Sequence, residues 1–321
     1  MQDCTQLFGI SVIVCTFNRS ELLKNLIRHF DLNVIVPKSI DLELLVVDNN
    51  SSDGTASLVQ KERSRSREYY ITYLMEKKQG LSFARNSGIL AAKYDWTLFL
   101  DDDAIPCSNF FENLLVELRQ KKNVSAFCCK VITRYRNIPD WYPIGGKYKL
   151  PLMGMYDLGD ESRFLKSSDP PPIGSGIILK KIIFQKYGYF DHRFGYNQKR
   201  SFLVPGEDTR LTLAIIEKEE PFYYIGNCLI NHFPPRNKLG IRTLSRIYFG
   251  QGFLFGIQDY EKHGTRAGLK VLKIPGWYIK ELLSTSARSL NCRFRGDRTG
   301  FYFYYLHLLK ILGRYWGYIQ A

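Results

Sequence analysis

The first third of the chain alternates short apolar runs with amphipathic ones. Phe8–Thr16 (FGISVIVCT) is a nearly continuous β-branched apolar run, the pattern of a parallel strand buried on both faces. It stops at Phe17-Asn18-Arg19. Ser20 is then expected to cap a helix that sets Leu22, Leu23, Leu26, Ile27 and Phe30 on one side. Residues 42–47 (LELLVV) predict a second buried strand, followed by a polar turn over 48–55 and another helix. A third strand is predicted at 71–74, a loop and helix at 80–92 (GLSFARNSGILAA), a fourth strand at 96–100 and a further one at 124–132. Strands alternating with helices predict an α/β fold: a mostly parallel central sheet with flanking helices and right-handed crossovers. Residues 134–172, rich in Tyr, Pro and Gly, read as irregular. Beyond them the pattern predicts a strand at 177–179, an amphipathic helix at 210–217 and a strand at 228–231. It divides the chain into 1–132, 133–235 and a helical C-terminal tail, 236–321.

Composition narrows this. The chain has 321 residues, 45% hydrophobic and 24% charged, enough for a folded core. The net charge of +14 points to an anionic partner: nucleotide phosphate, acidic lipid or nucleic acid. No recognised nucleic-acid-binding motif occurs, so no nucleic-acid partner is expected. The basicity sits in the tail, where residues 236–321 carry 15 Lys+Arg against 4 Asp+Glu. Within it, 301–319 (FYFYYLHLLKILGRYWGYI) is aromatic but interrupted by His307, Lys310 and Arg314, which argues against spanning a bilayer. Two readings stand: an element lying on an anionic membrane surface, or a helix packed inward on its aromatics. Seven cysteines without a CxxC indicate free thiols in a reducing compartment. MQDCTQLFG lacks the regions of a signal peptide, so the expected location is cytoplasmic, with peripheral placement on the inner face of the membrane through the tail.

The candidate chemistry centres on WTLFLDDDAIP at 96–106. It sets Asp101, Asp102 and Asp103 at the carboxyl end of a core strand, the edge where open α/β sheets bind ligands. Three adjacent carboxylates repel one another, and a Mg²⁺- or Mn²⁺-sized cation would neutralise them; a solvated acidic turn is the alternative. Asp48 ends a second strand, and Thr16 and Asn18 end a third, so polar groups from three strand ends converge. An Asx turn with a helix cap explains much of 48–53, less so Asp48, since a carboxylate directly after a buried strand needs a partner. Neither G-x-G-x-x-G nor a Walker A motif is present.

Four stretches resemble the nucleotide-sugar half of a family 2 glycosyltransferase of the GT-A fold: SVIVCTFNR at 11–19, VVDNNSSDGT at 46–55, GLSFARNSGI at 80–89 and FLDDDAIP at 99–106. The resemblance implies that 1–132 is a Rossmann-like nucleotide-sugar-binding half and 133–235 the acceptor half. It places Asp48 against the nucleotide base and Thr16 and Asn18 in the loop lining the base pocket. Arg85 and Asp102 fall beside the donor. Asp101 and Asp103 become the metal pair, Asp103 the direct ligand, and His232 a third ligand where a lone structural histidine is the alternative. Gly174-Ser175-Gly176 falls where the family lines the donor sugar and acceptor, although a plain tight turn explains it equally. The order FD…FG…GED, ending at Gly206-Glu207-Asp208, makes Asp208 the general base and Glu207 an acceptor contact; a helix N-terminus also favours acids there. Arg236 and Lys238 are basic candidates for the donor diphosphate.

The activity so implied is inverting, metal-assisted transfer from a nucleotide-diphosphate sugar to a hydroxyl of a glycan, a lipid-linked sugar or a small molecule, within glycan or polysaccharide biosynthesis. The Q-x-x-R-W signature of processive synthases is absent at Gln251-Gly252-Phe253, which favours single additions. A nucleotidyltransferase of related fold would want a Gly-rich basic loop where FNRSELL stands. A catalytically inactive sugar-nucleotide-binding module would lack Asp103 or Asp208, and the chain has both.

Overall fold

Runs that are apolar on both faces can only be buried between helices, and four of them build the parallel part of the sheet. In the computed structural model, which describes residues 7–65, 67–151, 153–195, 204–263 and 276–320, these are β1 (Phe8–Thr16), β2 (Ile40–Asp48), β3 (Tyr70–Met75) and β4 (Trp96–Asp101), in the order β3-β2-β1-β4. Ile10, Val12, Leu42, Leu44 and Leu98 are fully buried there. Helices α1 (Ser20–Asn33), α2 (Thr55–Arg63) and α3 (Leu81–Ala91) make the crossovers, and α1 buries Leu23, Leu26, Ile27 and Phe30, four of its five expected apolar positions.

The mixed part of the sheet comes from β5 (Ala104–Pro106), β6 (Ala126–Thr133), β7 (Arg163–Phe164), β8 (Ile177–Lys180) and β9 (Phe222–His232). They extend the order as β4-β8-β6-β9-β5, with β7 on β9. Strand β8 runs antiparallel to β4 and β6, while β6 and β9 are parallel. Most paired positions of the whole sheet are therefore parallel. Helices α4 (Phe110–Gln120), α5 (Lys181–Tyr187) and α6 (Glu207–Glu217) complete this part. The sequence pattern missed β5, which is only three residues long and begins directly after the acidic run.

Register matters at β9. A shift between Cys129↔Ile225 and Lys130↔Leu229 bulges the strand, and beyond it Thr133 and Ala104 both align with His232. Strand β9 is thus held from two sides, and its last residue is delivered beside the end of the acidic run.

One local expectation is corrected. Ser20 does not cap α1; it is its first residue, preceded by Arg19, which makes no side-chain cap. The cap comes from Asp53, whose Oδ2 accepts from Ser20 N–H at 2.9 Å, while its Oδ1 accepts from Thr55 N–H at 3.0 Å at the start of α2. One carboxylate satisfies orphan donors of two helices, and these bonds hold it below the usual carboxylate range although burial opposes them.

The described chain falls into two units. The first, Met1–Arg134, Met153–Arg193 and Glu207–Pro234, contains the whole sheet. The second, Tyr135–Leu152, Phe194–Gly206 and Pro235–Ala321, is built on α7 (Ile241–His263), α8 (Gly276–Phe294) and α9 (Arg298–Gln320). Helices α7 and α9 meet backbone to backbone. A Cβ at Gly252 or Gly256 would collide with the carbonyls of Lys310 or Arg314, and one at Gly313 or Gly317 with those of Phe249 or Phe253. Arg314 ties the pair through Asp259 at 2.6 and 2.9 Å. The run 301–319 is thus helical, with Leu306, Ile311 and Tyr318 buried and Leu312, Trp316 and Ile319 exposed. No helix among the described residues is long and apolar enough to cross a membrane.

Because Asp53 caps two helices, Asp53→Ala is expected to lower stability by about 1–2 kcal/mol, as cap deletions do. Asp53→Asn should recover much of it. Urea denaturation of the three proteins checks this.

Candidate active site

The parallel register sets the first half of the site. Thr16 pairs with Asp48 across β1–β2, and Cys15 with Asp101 across β1–β4, so the carboxyl ends of three adjacent strands share one edge. Asp48 is buried and finds its partners in Tyr73, whose hydroxyl donates at 2.8 Å, and in Ser51 N–H, also 2.8 Å. The Asx turn and the buried carboxylate coexist. Asn18 sits at φ 51° and joins the same loop: its N–H donates to Ser51 Oγ, and its Oδ1 accepts from Ser52 N–H at 2.8 Å.

The three aspartates part company. Asp102 turns inward, where it accepts from Thr16 Oγ1 at 2.8 Å and Arg19 Nη1 at 2.9 Å. Burial pushes its pKa up to about 6; Asp103 adds to the rise, and Arg19 opposes it. The hydroxyl of Thr16 and the carboxylate of Asp102 are thus engaged with each other. Asp101 and Asp103 lie on the other side with His232, and ligand atoms of the three fall within 4.8 Å of one another. His232 Nε2 is 3.0 Å from Asp103 Oδ1, and Nδ1 is buried with no hydrogen-bond partner among the described residues. Two carboxylates and an imidazole with an unpartnered nitrogen fit a Mn²⁺- or Mg²⁺-sized ion. The backbone of Gly154, at φ +75°, lies flat against the imidazole, and a Cβ there would strike its Cε1 and Nδ1. This position holds the ring and admits only glycine.

The second half of the site joins at Arg85, on α3. Its guanidinium is buried, donates to Glu207 Oε1 at 2.7 Å and lies 3.6 Å from Asp101. It thus links the acidic run to the start of α6. Burial pushes Glu207 up from 4.5 to about 7, Asp208 beside it adds to this, and Arg85 pulls the other way. Asp208 is half-buried, and its carboxylate accepts from the N–H groups of Gly174 and Thr209. Ser175 is buried, its Oγ accepting from Asp101 N–H, and Gly176 N–H donates to Phe99 O. The Gly174–Gly176 turn is therefore fastened to both the acidic run and Asp208. With their side chains buried, Ser175 and Glu207 shape this edge through Asp101 and Arg85 rather than projecting from it.

Residue patterning singled out neither Arg19, which pairs with Asp102, nor Tyr73, whose hydroxyl donates to Asp48. Arg19 directly follows a strand end and Tyr73 lies near the end of another, which is the signal that could have found them. Arg236 has no described side chain, and Lys238 belongs to the second unit.

Residues 11–188 match the family described as Glycosyl transferase family 2. The chain is 27% identical over 312 residues to the cholesterol galactosyltransferase of Borreliella burgdorferi, covering 88% of this chain and 81% of that one. Over 114 residues it is 35% identical to the GalNAc(5)-diNAcBac-PP-undecaprenol beta-1,3-glucosyltransferase of Campylobacter jejuni, or 36% of this chain and 34% of the relative. Among solved structures, the fold is similar to S. aureus TarS 1–349 in complex with UDP-GlcNAc, with TM-score 0.53, 13% identity, 94% of this chain and 91% of that one. It is also similar to GalNAc-T7 with UDP, GalNAc and Mn²⁺, with TM-score 0.54, 13% identity, 82% of this chain and 53% of that one.

Arg85→Ala would leave Glu207 buried with no cation beside it. A loss of about 3–5 kcal/mol is expected, the cost of breaking a buried pair by removing one partner. The pH dependence of this loss has a definite sign. Glu207 titrates higher in the folded chain than unfolded, so its folded form binds more protons between pH 4.5 and about 7, and its contribution falls as pH rises through that window. Without Arg85 the window extends upward, so the deficit of the variant should be larger at pH 8 than at pH 5. Denaturant midpoints at the two pH values measure it.

Proposed function

Since the chain belongs to glycosyl transferase family 2 and is a glycosyltransferase of glycan synthesis, we propose that it moves a sugar from a nucleotide-diphosphate donor to a hydroxyl acceptor in a single displacement with inversion. The observation that carries this is the joining of two groups of residues, Asp48 to Asp103 on one side and Glu207-Asp208 on the other, through buried Arg85.

In this reading the loop of Asn18 and Asp48 receives the nucleoside, with Thr16 and Asp102 bracing it from beneath. Asp101, Asp103 and His232 would hold a divalent cation, Mn²⁺ or Mg²⁺. That ion, when bound, supplies positive charge against the negative charge that builds on the departing diphosphate. Arg85 keeps Asp101 and Glu207 in place. Asp208 is the general base. Two backbone N–H groups donate to its carboxylate and fix where its oxygens lie. It removes the hydroxyl proton of the acceptor as that oxygen attacks the anomeric carbon from the face opposite the leaving group. The bond from the anomeric carbon to the diphosphate breaks with its electron pair, and the nucleoside diphosphate departs. Gly174 holds Asp208 from the opposite side of the site and so fixes the angle of attack.

A lipid-borne hydroxyl is the acceptor class supported by the names of the two relatives, one for cholesterol and one for an undecaprenol-linked glycan. The donor base and sugar are tested by a thermal-shift panel of UDP-, GDP- and dTDP-sugars with Mn²⁺, since a ligand of the folded state raises apparent stability. A donor that shifts the melting point yet never turns over would leave a binding module.

Asp103→Ala is expected to remove the Mn²⁺-dependent part of that shift and to abolish turnover. Full activity of the unaltered protein in excess chelator would overturn the metal assignment. Asp208→Asn should leave the donor shift nearly intact while lowering turnover by a factor on the order of 10² or more. If instead donor binding collapses and turnover per bound donor survives, Asp208 is a helix-capping residue.

A further inference from the structure

The second unit presents a surface that its own packing does not explain. Helix α8 buries Tyr278, Thr285, Ser289 and Cys292 along one face. Its opposite face carries an apolar stripe: Ile279, Leu283, Leu290 and Phe294 are 42%, 66%, 54% and 86% exposed. At 3.6 residues per turn these four fall within one narrow sector of the helix. A water-facing helix of this length has no reason to place its largest side chains there, and Phe294 is nearly bare.

The flanks of the stripe are basic. Lys280, Arg293 and Arg295 are exposed beside it. An apolar stripe with Lys280 and Arg293 on its two flanks is the pairing that an anionic phospholipid surface matches: acyl chains under the stripe, phosphates against the flanking cations.

We propose that the C-terminal unit docks on an anionic membrane surface through the Ile279–Leu283–Leu290–Phe294 stripe of α8, with Lys280 and Arg293 on its flanks meeting lipid phosphates. The concentration of charge supports this occupant over a neutral protein face, since residues 236–321 carry +11 of the net +14. Such docking lies in the plane of the interface and needs no crossing helix. It deepens the lipid-borne acceptor reading and rests on it for its purpose, since an enzyme whose acceptor is dissolved in a bilayer must work at its surface.

Flotation of the full chain with vesicles of phosphatidylcholine alone, and of phosphatidylcholine mixed with phosphatidylglycerol, tests the proposal. The protein is expected to float with the anionic vesicles at low salt, to float much less with the neutral ones and to be released as salt rises. Leu283→Ser with Phe294→Ser should lower the partition coefficient by about tenfold or more. Lys280→Ser with Arg293→Ser should lower it by about 25-fold, roughly a factor of five per charge. Glycerol phosphate in solution, at the concentration of accessible lipid headgroup, should not compete. These positions are exposed and lie outside the donor site, so the melting shift with nucleotide sugar should be the same in all three proteins. That readout separates a failure of docking from a failure of the donor assignment. Absence of flotation, equal flotation with neutral vesicles, unaltered flotation of either variant, or displacement by glycerol phosphate would each overturn the proposal. So would a stripe variant that only converts a dimer to a monomer in solution.

Discussion

Negative charge gathered in one place must be answered, and at the carboxyl edge of this sheet six carboxylates are gathered: Asp48, Asp101, Asp102, Asp103, Glu207 and Asp208. The molecule answers with separation and pairing. Asp102 rotates under the sheet edge to Thr16 and Arg19. Glu207 is taken by Arg85, which also stands near Asp101. Asp208 is met by backbone donors. Asp101 and Asp103 face His232, with Arg85 3.6 Å from the first and Arg19 3.7 Å from the second. The arrangement of the carboxylates is therefore set by where the cations and backbone donors of the chain reach.

The site is assembled from residues far apart in the chain, and this decides what could be read beforehand. Strand ends are legible because burial on both faces leaves a long apolar signature, and the residues just after β1, β2 and β4 had to lie at one edge. The four parallel strands and the acidic run were found this way, whereas Asp208 at the start of α6 came from the amphipathic pattern after it and from the family resemblance. The bond from Arg85 to Glu207 spans 122 positions, and no local pattern encodes it. Asp53 reaches back 33 positions to cap α1, and Ser20 took its place in the reading because Ser beside an amphipathic run is the usual local signal. Strand β5, three residues long, has too few positions to show a period. His232 could be named but not placed, since its neighbourhood depends on a bulge earlier in the same strand.

The same contrast runs through the second unit. Its aromatic richness suggested either an inward-packed helix or a surface element, and the helices divide these roles. Between α7 and α9, glycines bring main chains into contact, and aromatic pairs such as Tyr260–Tyr318 pack beside that contact. Leu306, Ile311 and Tyr318 of α9 are buried, while Leu312 and Trp316 of the same helix are exposed.

Strand β9 carries a consequence for how the chain is made. It is the last strand synthesised, yet it lies between β6 and β5 and not at a free margin of the sheet. While the ribosome is still short of residue 222, the nascent chain can close β3-β2-β1-β4-β8-β6 in order, but β5 and β6 have no strand to join them to each other. The acidic run emerges more than a hundred residues before His232. Throughout that interval a half-built sheet exposes two unpaired margins, the condition in which nascent chains associate wrongly. Arrival of one eleven-residue strand then joins β6 to β5 and sets the histidine beside the aspartates in a single event.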